Sequence, residues 1–210
     1  MRYAIFSDVH NNDHALSQVL RDTYQRGIDT YLCLGDTGTD PSIQLVRGIN
    51  AHSVFGNWEV SGWRHLSAPF QQQVLDLSPM RKFDDFWISH AAPTWPDTVT
   101  SLRQFLKNRS SMASVFPYYV RETDALWQAF SELLKANIPL LFHGHTHQQI
   151  VWTLTPKNNL KQSRPQELKL VPGNTYIIGV GSVGQPKDSV HPSYVVFDSA
   201  ARQVEFIRIK

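Results

Sequence analysis

The sequence predicts an α/β fold in which two packed β-sheets carry helices on their outer faces. Two patterns predict it. The first part of the chain alternates short apolar runs with segments of helical periodicity, and the last third carries successive strand-like runs. With 41% apolar and 18% charged residues, the 210-residue chain has the composition of a globular protein that can bury a core without disulfides. We therefore expect a single domain over residues 1–210.

The candidate strands are short apolar runs that end at glycine, serine or polar residues, as buried strands do. The first part of the chain contains five, at residues 3–6, 31–34, 52–55, 86–88 and 140–142. Asp84 and Asp85 separate Phe83 from the fourth run and indicate a hairpin. The last third adds five runs that predict a meander, at residues 150–154, 168–171, 176–180, 194–197 and 204–209. The polar, proline-containing residues 158–167 are expected to form a loop.

Three segments show the spacing of apolar residues that buries one face of a helix. Their buried faces are expected to comprise, in order, Leu16, Val19, Leu20 and Thr23; Leu45, Val46 and Ile49; and Leu126, Ala129, Phe130, Leu133 and Leu134. The first helix ends at Gly27 and the third begins near Thr123. Asp40 is predicted as the N-cap of the second, because Pro41 follows it. Residues 96–121 mix basic with aromatic side chains, and they form either a cap that faces substrate or a surface helix with aromatic core contacts.

Composition and charge exclude several function classes. Twenty Lys and Arg against eighteen Asp and Glu give a net charge of +2, too small for a protein dedicated to long nucleic acids. The longest apolar runs span about five residues, far below the roughly 20 that cross a bilayer. The one cysteine, Cys33, rules out an internal disulfide and a cysteine-rich metal site. The start of the sequence shows no signal-peptide pattern, so we expect a cytoplasmic protein, and the oligomeric state stays open.

Five candidate strands are followed at once by polar motifs rich in Asp, His and Asn. The motifs are Asp8-Val9-His10, Gly35-Asp36, Gly56-Asn57-Trp58-Glu59, Ser89-His90 and His143-Gly144-His145-Thr146-His147. Because loops at the carboxyl ends of strands collect side chains at one edge of a sheet, we expect these residues to lie together. The glycines allow close turns beside a ligand. Carboxylate, imidazole and amide groups without a thiolate suit Mn²⁺, Fe²⁺, Zn²⁺ or Ni²⁺.

Taken in order, the motifs D-x-H, G-D, G-N-x-E, a lone His and G-H-x-H resemble those of the calcineurin-like metallophosphoesterase superfamily. Any one of them is weak evidence, but five in this order are specific. Residues 7–12 and the stretch G-S-V-G-Q-P at residues 181–186 are similar to the small prokaryotic, YfcE-like phosphodiesterase branch. The resemblance spans residues 3–186 and implies a four-layer αββα sandwich with two mixed β-sheets and flanking helices.

The resemblance also implies a centre of two divalent metal ions, with Mn²⁺ favoured and Fe, Ni or Zn as alternatives. It assigns Asp8, His10 and His147 to one ion, Asn57, His90 and His145 to the other, and Asp36 to both. A hydroxide that bridges the ions would attack the phosphorus of a small phosphoester without a covalent enzyme intermediate. Two divalent ions and two carboxylates leave a charge of about +2, which attracts a phosphate.

Residues beside the ligands bear on catalysis. Trp58 stands where many members of the superfamily have a histidine that can protonate the leaving group, and an indole N–H cannot shuttle protons, which favours leaving groups of low pKa. Asn57 and His143 are the candidate catalytic residues. His143 stays open between support of a ligand, a phosphate contact and simple packing. Glu59 either orients a ligand or is a solvated carboxylate, and residues 181–186 either line the cleft or only form a turn.

The expected function is hydrolysis of a nucleotide-like or other small phosphodiester. One alternative is a dinucleoside polyphosphate (pyrophosphate) hydrolase, whose phosphate leaving group suits Trp58 and which an aromatic pocket near Tyr118 and Tyr119 would favour. Another is a non-catalytic scaffold with the metallophosphoesterase fold, which is disfavoured because every ligand position is filled. The motifs predict the reaction class, while the physiological substrate and the native metal stay open.

Overall fold

The computed structural model describes residues 1–108 and 112–210, and it confirms the α/β fold with two mixed six-stranded sheets. The strands are β1 (Arg2–Phe6), β2 (Thr30–Cys33), β3 (His52–Ser53), β4 (Met80–Lys82), β5 (Trp87–Ser89), β6 (Leu140–His143), β7 (Gln149–Leu154), β8 (Leu160–Ser163), β9 (Glu167–Lys169), β10 (Thr175–Val180), β11 (Ser193–Asp198) and β12 (Gln203–Arg208). The helices are α1 (Asp13–Gln25), α2 (Asp40–Gly48), α3 (Asn57–Gly62), a 3-10 helix (Trp63–His65), α4 (Ala68–Leu75), α5 (Leu102–Asn108), α6 (Met112–Val115) and α7 (Thr123–Lys135).

The first sheet has the strand order β3-β2-β1-β11-β12-β9. Strands β1, β2 and β3 run parallel, with Ala4 opposite Tyr31, because α1 and α2 return the chain to the same end each time. Strand β11 pairs antiparallel with β1, with Ala4 opposite Val196. The parallel half therefore places the carboxyl ends of β1 and β2 side by side.

The second sheet has the order β4-β5-β6-β10-β7-β8. Here β5, β6 and β10 are parallel, so that His143 lies opposite Ser89 on one side and Gly179 on the other. The predicted hairpin between β4 and β5 is confirmed by an antiparallel pairing closed by the bond from the Phe83 N–H to the Phe86 carbonyl (2.9 Å). This sheet likewise brings the carboxyl ends of β5 and β6 together.

Side-chain alternation along the strands separates an inner core from two outer layers. Ile5 and Phe142 are fully buried in the core between the sheets. Phe6, next to Ile5, belongs instead to the layer formed with Leu16 of α1. Leu141, next to Phe142, packs in the layer under α7. Because neighbouring residues of a strand point to opposite faces, each sheet is covered on one side by the other sheet and on the other side by helices.

The predicted meander of the last third holds for β11 and β12, which pair antiparallel, but it is wrong for the strands before them. Strand β10 lies between β6 and β7 in the second sheet, and β11 and β12 join β1 in the first sheet. All six residues of β10 are buried, so both of its faces are apolar. A run of this kind can occupy the centre of either sheet, and its local pattern does not say which.

The expected loop at residues 158–167 contains strand β8. It pairs antiparallel with β7, with Leu160 opposite Leu154 and Ser163 opposite Val151. The strand forms the edge of the second sheet, where Lys161 and Gln162 are exposed. Edge strands carry polar and charged side chains of this kind, which is why the segment resembles a loop in sequence.

Two details of the predicted helices also need correction. Asp40 is the first residue of α2 and Thr39 is its N-cap; the Asp40 carboxylate accepts the N–H of Ser67 (3.1 Å). Leu134, expected on the buried face of α7, is 55% exposed, whereas Leu133 is buried. Within residues 1–108 and 112–210, no helix has both the length and the apolar character needed to cross a bilayer.

Residues 96–121 form α5 and α6, apart from residues 109–111, which lie outside the description. Phe105 and Phe116 are buried and pack against Phe55 and Trp95. This supports the interpretation as helices with aromatic core contacts. The segment nevertheless also delivers Tyr118 to the end of the sheets where the polar motifs lie.

Candidate metal centre

The polar motifs converge at one end of the two sheets, as the strand pattern predicts. Each predicted ligand follows the carboxyl end of a parallel strand or begins a helix there. Asp8 and His10 follow β1, Asp36 follows β2, Asn57 begins α3, His90 follows β5, and His145 and His147 follow β6. The two sheets thus contribute ligands to a single cluster.

Asp8, His10 and His147 form one group whose ligand atoms all lie within 4.8 Å of one another. Nε2 of His147 is 3.2 Å from Oδ1 of Asp8, and Nε2 of His10 is 3.7 Å from the same oxygen. The two Nε2 atoms are 3.2 Å apart. These are the three residues that the family resemblance assigns to one ion.

A second group contains Asp8, Asp36 and His90. Oδ2 of Asp36 is 3.4 Å from Nε2 of His90 and 3.7 Å from Nε2 of His10, so this carboxylate lies between the two groups, where a bridging ligand belongs. Oδ1 of Asn57 is 3.1 Å from Nε2 of His90. Asp8 takes part in both groups, whereas the sequence places it in the first only.

His145 joins the cluster less directly. Its ring lies 5.1 Å from the His90 ring, centroid to centroid, and its backbone N–H donates to Oδ2 of Asp8 (3.0 Å). It belongs to neither of the two close groups. Its assignment as a metal ligand stays a prediction.

The buried atoms of the cluster fit a cation. Among the described residues, Oδ1 of Asp8 accepts no hydrogen bond and Nδ1 of His10 has no partner, although both are buried. Buried polar atoms of this kind are normally satisfied, so an uncompensated carboxylate oxygen among imidazole nitrogens points to a missing positive group. Ligand atoms at about 2.1 Å from one ion stand roughly 3–3.5 Å apart. The separations of 3.2–3.7 Å in the cluster are close to this range.

Backbone carbonyls select the ring nitrogen that two histidines present. Nδ1 of His90 donates to the Leu34 carbonyl and Nδ1 of His147 donates to the Gln185 carbonyl, each at 2.7 Å. A carbonyl can only accept, so each Nδ1 carries the proton and Nε2 faces the cluster. Contacts of this type orient metal-binding histidines.

The carboxylates and rings shift one another's protonation. Burial by itself raises the pKa of Asp8, but the rings of His10, His147 and His90 outweigh it and hold that pKa well below its ordinary range. Burial disfavours the charged form of His90, but Asp36, followed by Asp8 and Glu59, raises its pKa to about 9. For His145, burial and the neighbouring His90 lower the pKa to about 4, so this ring is neutral near pH 7.

Glu59 is buried, which contradicts the expectation of a solvated carboxylate and favours the interpretation that it orients a ligand. Its carboxylate accepts three backbone N–H groups, from Asp36 (2.8 Å), Thr37 (2.7 Å) and Gly56 (2.7 Å). It contacts no ring of the cluster and is not solvated. Burial and the nearby charge of Asp36 raise its pKa. Glu59 therefore ties the loop after β2 to the start of α3, which carries Asn57.

The backbone at the site adopts a conformation that most residues avoid. Five predicted ligands have positive φ angles: Asp8 (56°), His10 (47°), Asp36 (52°), His145 (58°) and His147 (57°). Non-glycine residues rarely occupy this left-handed region, and it concentrates at functional sites, where the surrounding contacts must hold it in place.

At two positions, neighbouring atoms lie so close to the backbone that only glycine fits. A Cβ at Gly56 would overlap Oδ1 of Asp36, and a Cβ at Gly144 would overlap Oγ of Ser7 and lie 2.8 Å from Oδ2 of Asp8. Neither glycine has a positive φ. Their lack of a side chain, more than a sharp turn, lets the motifs pack together.

Residues 181–186 support the cluster from behind. The Ser182 hydroxyl and the Gly184 N–H both donate to the Asp8 carbonyl, at 2.8 and 2.9 Å. The same loop provides the Gln185 carbonyl that orients His147. This favours the interpretation that the segment lines the metal cleft.

Trp58 and His143 lie on different sides of the cluster. The backbone N–H of Trp58 donates to Oδ1 of Asp36 (2.7 Å), and its ring meets the His10 ring edge-on at 5.2 Å. His143 is fully buried beside Tyr119 and Trp152, and its Nδ1 donates to the Gly144 carbonyl (2.8 Å). Burial lowers the pKa of His143 to about 4. His143 thus lies behind the ligand loop.

Of the two tyrosines expected to form an aromatic pocket, only Tyr118 is placed for it. Its ring lies 5.9 Å from the His145 ring, whereas Tyr119 is buried with its hydroxyl donating to the Ala91 carbonyl. Sequence reasoning missed Lys187, whose Nζ lies 5.0 Å from the Tyr118 ring centroid. Its position directly after the G-S-V-G-Q-P stretch was the available signal.

Comparison with known proteins agrees with this geometry. The profile of the calcineurin-like phosphoesterase superfamily domain matches residues 1–202. An uncharacterized protein of Methanocaldococcus jannaschii is 27% identical over 219 residues, which cover 99% of this chain and 86% of that protein. The crystal structure of a metallophosphoesterase from Sphaerobacter thermophilus is 27% identical, with a TM-score of 0.73, and the match covers 100% of this chain and 89% of that one. The E. coli phosphoesterase YfcE is 16% identical with a TM-score of 0.50 over 100% of both chains, a likeness of fold alone.

Proposed function

Because this chain belongs to the calcineurin-like phosphoesterase superfamily, it is a phosphoesterase, and we propose that it is a phosphodiesterase that acts on a nucleotide-like or other small phosphodiester. The observation that carries the proposal is the buried cluster of Asp8, Asp36 and the surrounding histidines at the ends of four strands. A substrate there would meet the cluster at the edge of both sheets.

The cluster supports a centre of two divalent ions. We assign Asp8, His10 and His147 to one, Asn57, His90 and His145 to the other, and Asp36 to both. Mn²⁺ is the expected metal, because carboxylate, amide and imidazole ligands suit it. When bound, such a pair of ions activates water near neutral pH and offsets the negative charge of a phosphoryl group.

The residues around the ions position the substrate. Oδ1 of Asn57 faces His90, so its Nδ2 donors are directed elsewhere and are available to a phosphate oxygen. His145 is neutral near pH 7, so one ring nitrogen can bind the ion while the N–H of the other donates a hydrogen bond. His143, expected as a catalytic residue, acts in our proposal as a positioning residue that holds the Gly144 turn before His145.

Trp58 restricts the range of leaving groups. Its indole beside His10 can donate a hydrogen bond but cannot deliver a proton and recover it. General acids are typically worth about 10²–10⁴ in rate. The enzyme should therefore prefer diesters whose leaving group is stable as an anion.

A dinucleoside polyphosphate hydrolase remains the second candidate, favoured by the half-buried Tyr118 ring beside His145. The leaving group of such a substrate is a phosphate, which needs no protonation near pH 7. The buried Tyr119 removes one half of the aromatic pocket that this candidate would use. A scaffold without catalysis is disfavoured, because five of the seven predicted ligands form two close groups of donor atoms.

The test compares two chromogenic esters. The protein is stripped with a chelator, reloaded with Mn²⁺, and assayed on bis-p-nitrophenyl phosphate and p-nitrophenyl phosphate, with bound metal measured by mass spectrometry. We expect faster Mn²⁺-dependent release from the diester. Asp36→Asn should lose bound metal and at least roughly 100-fold in kcat/KM. Asp84→Asn, at an exposed carboxylate on the β4–β5 turn, is the matched control.

The outcomes separate the candidates. Preference for the monoester would contradict the phosphodiesterase proposal. Full metal content and rate in Asp36→Asn would contradict the assignment of the centre. Metal binding without release from either ester would redirect the search to pyrophosphate substrates.

A further inference from the structure

Lys187 is anchored directly to the loop that carries the predicted ligands His145 and His147. Its backbone N–H donates to the His147 carbonyl (2.9 Å). Its side chain extends toward Tyr118, with Nζ 3.4 Å from the phenol oxygen and 5.0 Å from the ring centroid. The Lys187 side chain is exposed, and its contacts with Tyr118 hold the ammonium group near the loop that carries the predicted ligands.

Tyr118 is itself tied to the same loop. Its hydroxyl donates to the Thr146 carbonyl (3.1 Å), and its ring meets the His145 ring at 5.9 Å. The phenol oxygen can therefore accept from Lys187 while it donates to Thr146. These contacts place the ammonium group beside a tyrosine that itself contacts His145.

The charge of Lys187 is not paired with a carboxylate in the part of the chain that the structure describes. Among residues 1–108 and 112–210, no carboxylate oxygen lies within 4.0 Å of Nζ. The guanidinium of Arg121 lies 5.8 Å from the Tyr118 ring centroid, and the carboxylate of Glu122 accepts the Tyr118 backbone N–H (2.7 Å). An ammonium has three N–H donors, and the one long contact to Tyr118 leaves the others available.

We propose that Lys187, held by Tyr118, binds a second phosphoryl group that is attached to the reacting one. The inference rests on the proposed function and narrows its substrate class to esters with a diphosphate or longer chain. The contacts that link Lys187 through Tyr118 to His145 carry it, because they place a positive charge beside the cluster, where a phosphoryl group attached to the reacting one would lie. A charge-assisted hydrogen bond to phosphate is stronger than a neutral one.

Two matched chromogenic esters test the proposal. One is the p-nitrophenyl ester of thymidine 5′-monophosphate, and the other is the β-p-nitrophenyl ester of thymidine 5′-diphosphate. Both release p-nitrophenolate, and they differ by one phosphoryl group between the nucleoside and the reacting phosphorus. With saturating Mn²⁺, we expect the KM of the diphosphate ester to be roughly tenfold lower in the unmodified enzyme.

Three variants test whether the Lys187 side chain causes the lower KM of the diphosphate ester. Lys187→Met should bring the ratio of the two KM values close to one, whereas Lys187→Arg should keep the preference because it keeps the charge. Lys157→Met, at an exposed lysine on the turn between β7 and β8, is the matched control and should leave the ratio unchanged. Added salt should weaken the preference only in proteins that retain the charge at position 187.

An unchanged ratio in Lys187→Met, with Mn²⁺-dependent hydrolysis of both esters intact, would overturn the subsite and leave the proposed function standing. The absence of any preference in the unmodified enzyme would do the same. If the metal-loaded enzyme hydrolysed neither ester, the proposed function itself would fail, and the subsite with it.

Discussion

The carboxylate of Glu59 accepts the backbone N–H of Asp36 at 2.8 Å, which makes one buried acid the support of another. The same carboxylate also accepts the N–H groups of Thr37 and Gly56. Since Asp36 has a positive φ of 52°, these bonds hold a backbone conformation that the residue would otherwise leave. The geometry of the cluster thus depends on a residue that does not contact any of its rings.

Replacing Glu59 tests this dependence. Glu59→Gln keeps one acceptor oxygen but turns an NH₂ group toward backbone N–H donors. After treatment with a chelator, the variant should therefore have an unfolding free energy roughly 1–3 kcal/mol lower than that of the parent. Metal affinity should fall as well, because Asp36 is no longer held. Urea unfolding and metal titration measure the two effects. Glu167→Gln, at an exposed position in β9, is the control, and equal stability of the two variants would contradict the role of Glu59.

Gly144→Ala tests the close approach of the two sheets at the site. The added Cβ would overlap the Ser7 hydroxyl and crowd Asp8, so we expect a loss of about 1–3 kcal/mol in unfolding free energy and a large loss of activity. Gly48→Ala in α2 is the matched control, because a Cβ there meets no atom within 4 Å. Denaturant unfolding should show that the control is as stable as the parent or about 0.4–1 kcal/mol more stable. Equal behaviour of the two variants would refute the packing argument.

Metal binding should release protons and strengthen with rising pH. The carboxylates of the site outweigh burial and raise the pKa of His90 to about 9, so this ring carries a proton near pH 7 that must leave before Nε2 can bind a cation. Affinity should therefore increase between about pH 7 and pH 9 and level off above. Calorimetric Mn²⁺ titrations in two buffers of different ionisation enthalpy count the protons released. A titration with no proton release at pH 7 would show that His90 is not a ligand.

Trp58→His should change the dependence of rate on the leaving group. An imidazole beside His10 can donate and regain a proton, whereas the indole cannot. We expect the hydrolysis rate to increase most for phenyl esters and least for p-nitrophenyl esters. The difference in rate between the two kinds of ester should therefore be smaller in the variant. Rates over a series of substituted phenyl esters measure this slope. Trp127→His, at a half-exposed position of α7, is the control, and an identical slope in both variants would argue against a missing proton donor at position 58.

The residues at the strand ends were predictable because residue types that can bind a metal stand at positions that parallel strands bring together. Asp8, Asp36 and His90 each stand directly after a short apolar run, and parallel strands bring such positions to one edge. The order of the motifs was enough to identify the family that the profile match then showed. The helices α1 and α7 were predictable because each buries one periodic face.

Pairing and support were not predictable. The run that became β10 is apolar on both faces, so nothing local placed it between β6 and β7. The sequence leaves Glu59 open between a residue that orients a ligand and a solvated carboxylate, and only the backbone donors gathered around it favour the first role. Lys187 resembles any exposed lysine until the fold brings Tyr118 beside it.

By itself, the sequence determined the inventory of the site and the edge of the fold where it assembles, since both follow from residue type and from periodicity along the chain. Tertiary structure decided how the groups meet: which histidine nitrogen faces the cluster, which carbonyl orients it, and which loops hold the backbone in the left-handed region. The bond from Ser182 to the Asp8 carbonyl joins residues 174 positions apart. Contacts over such distances depend on the packing of whole sheets, and no local pattern records that packing.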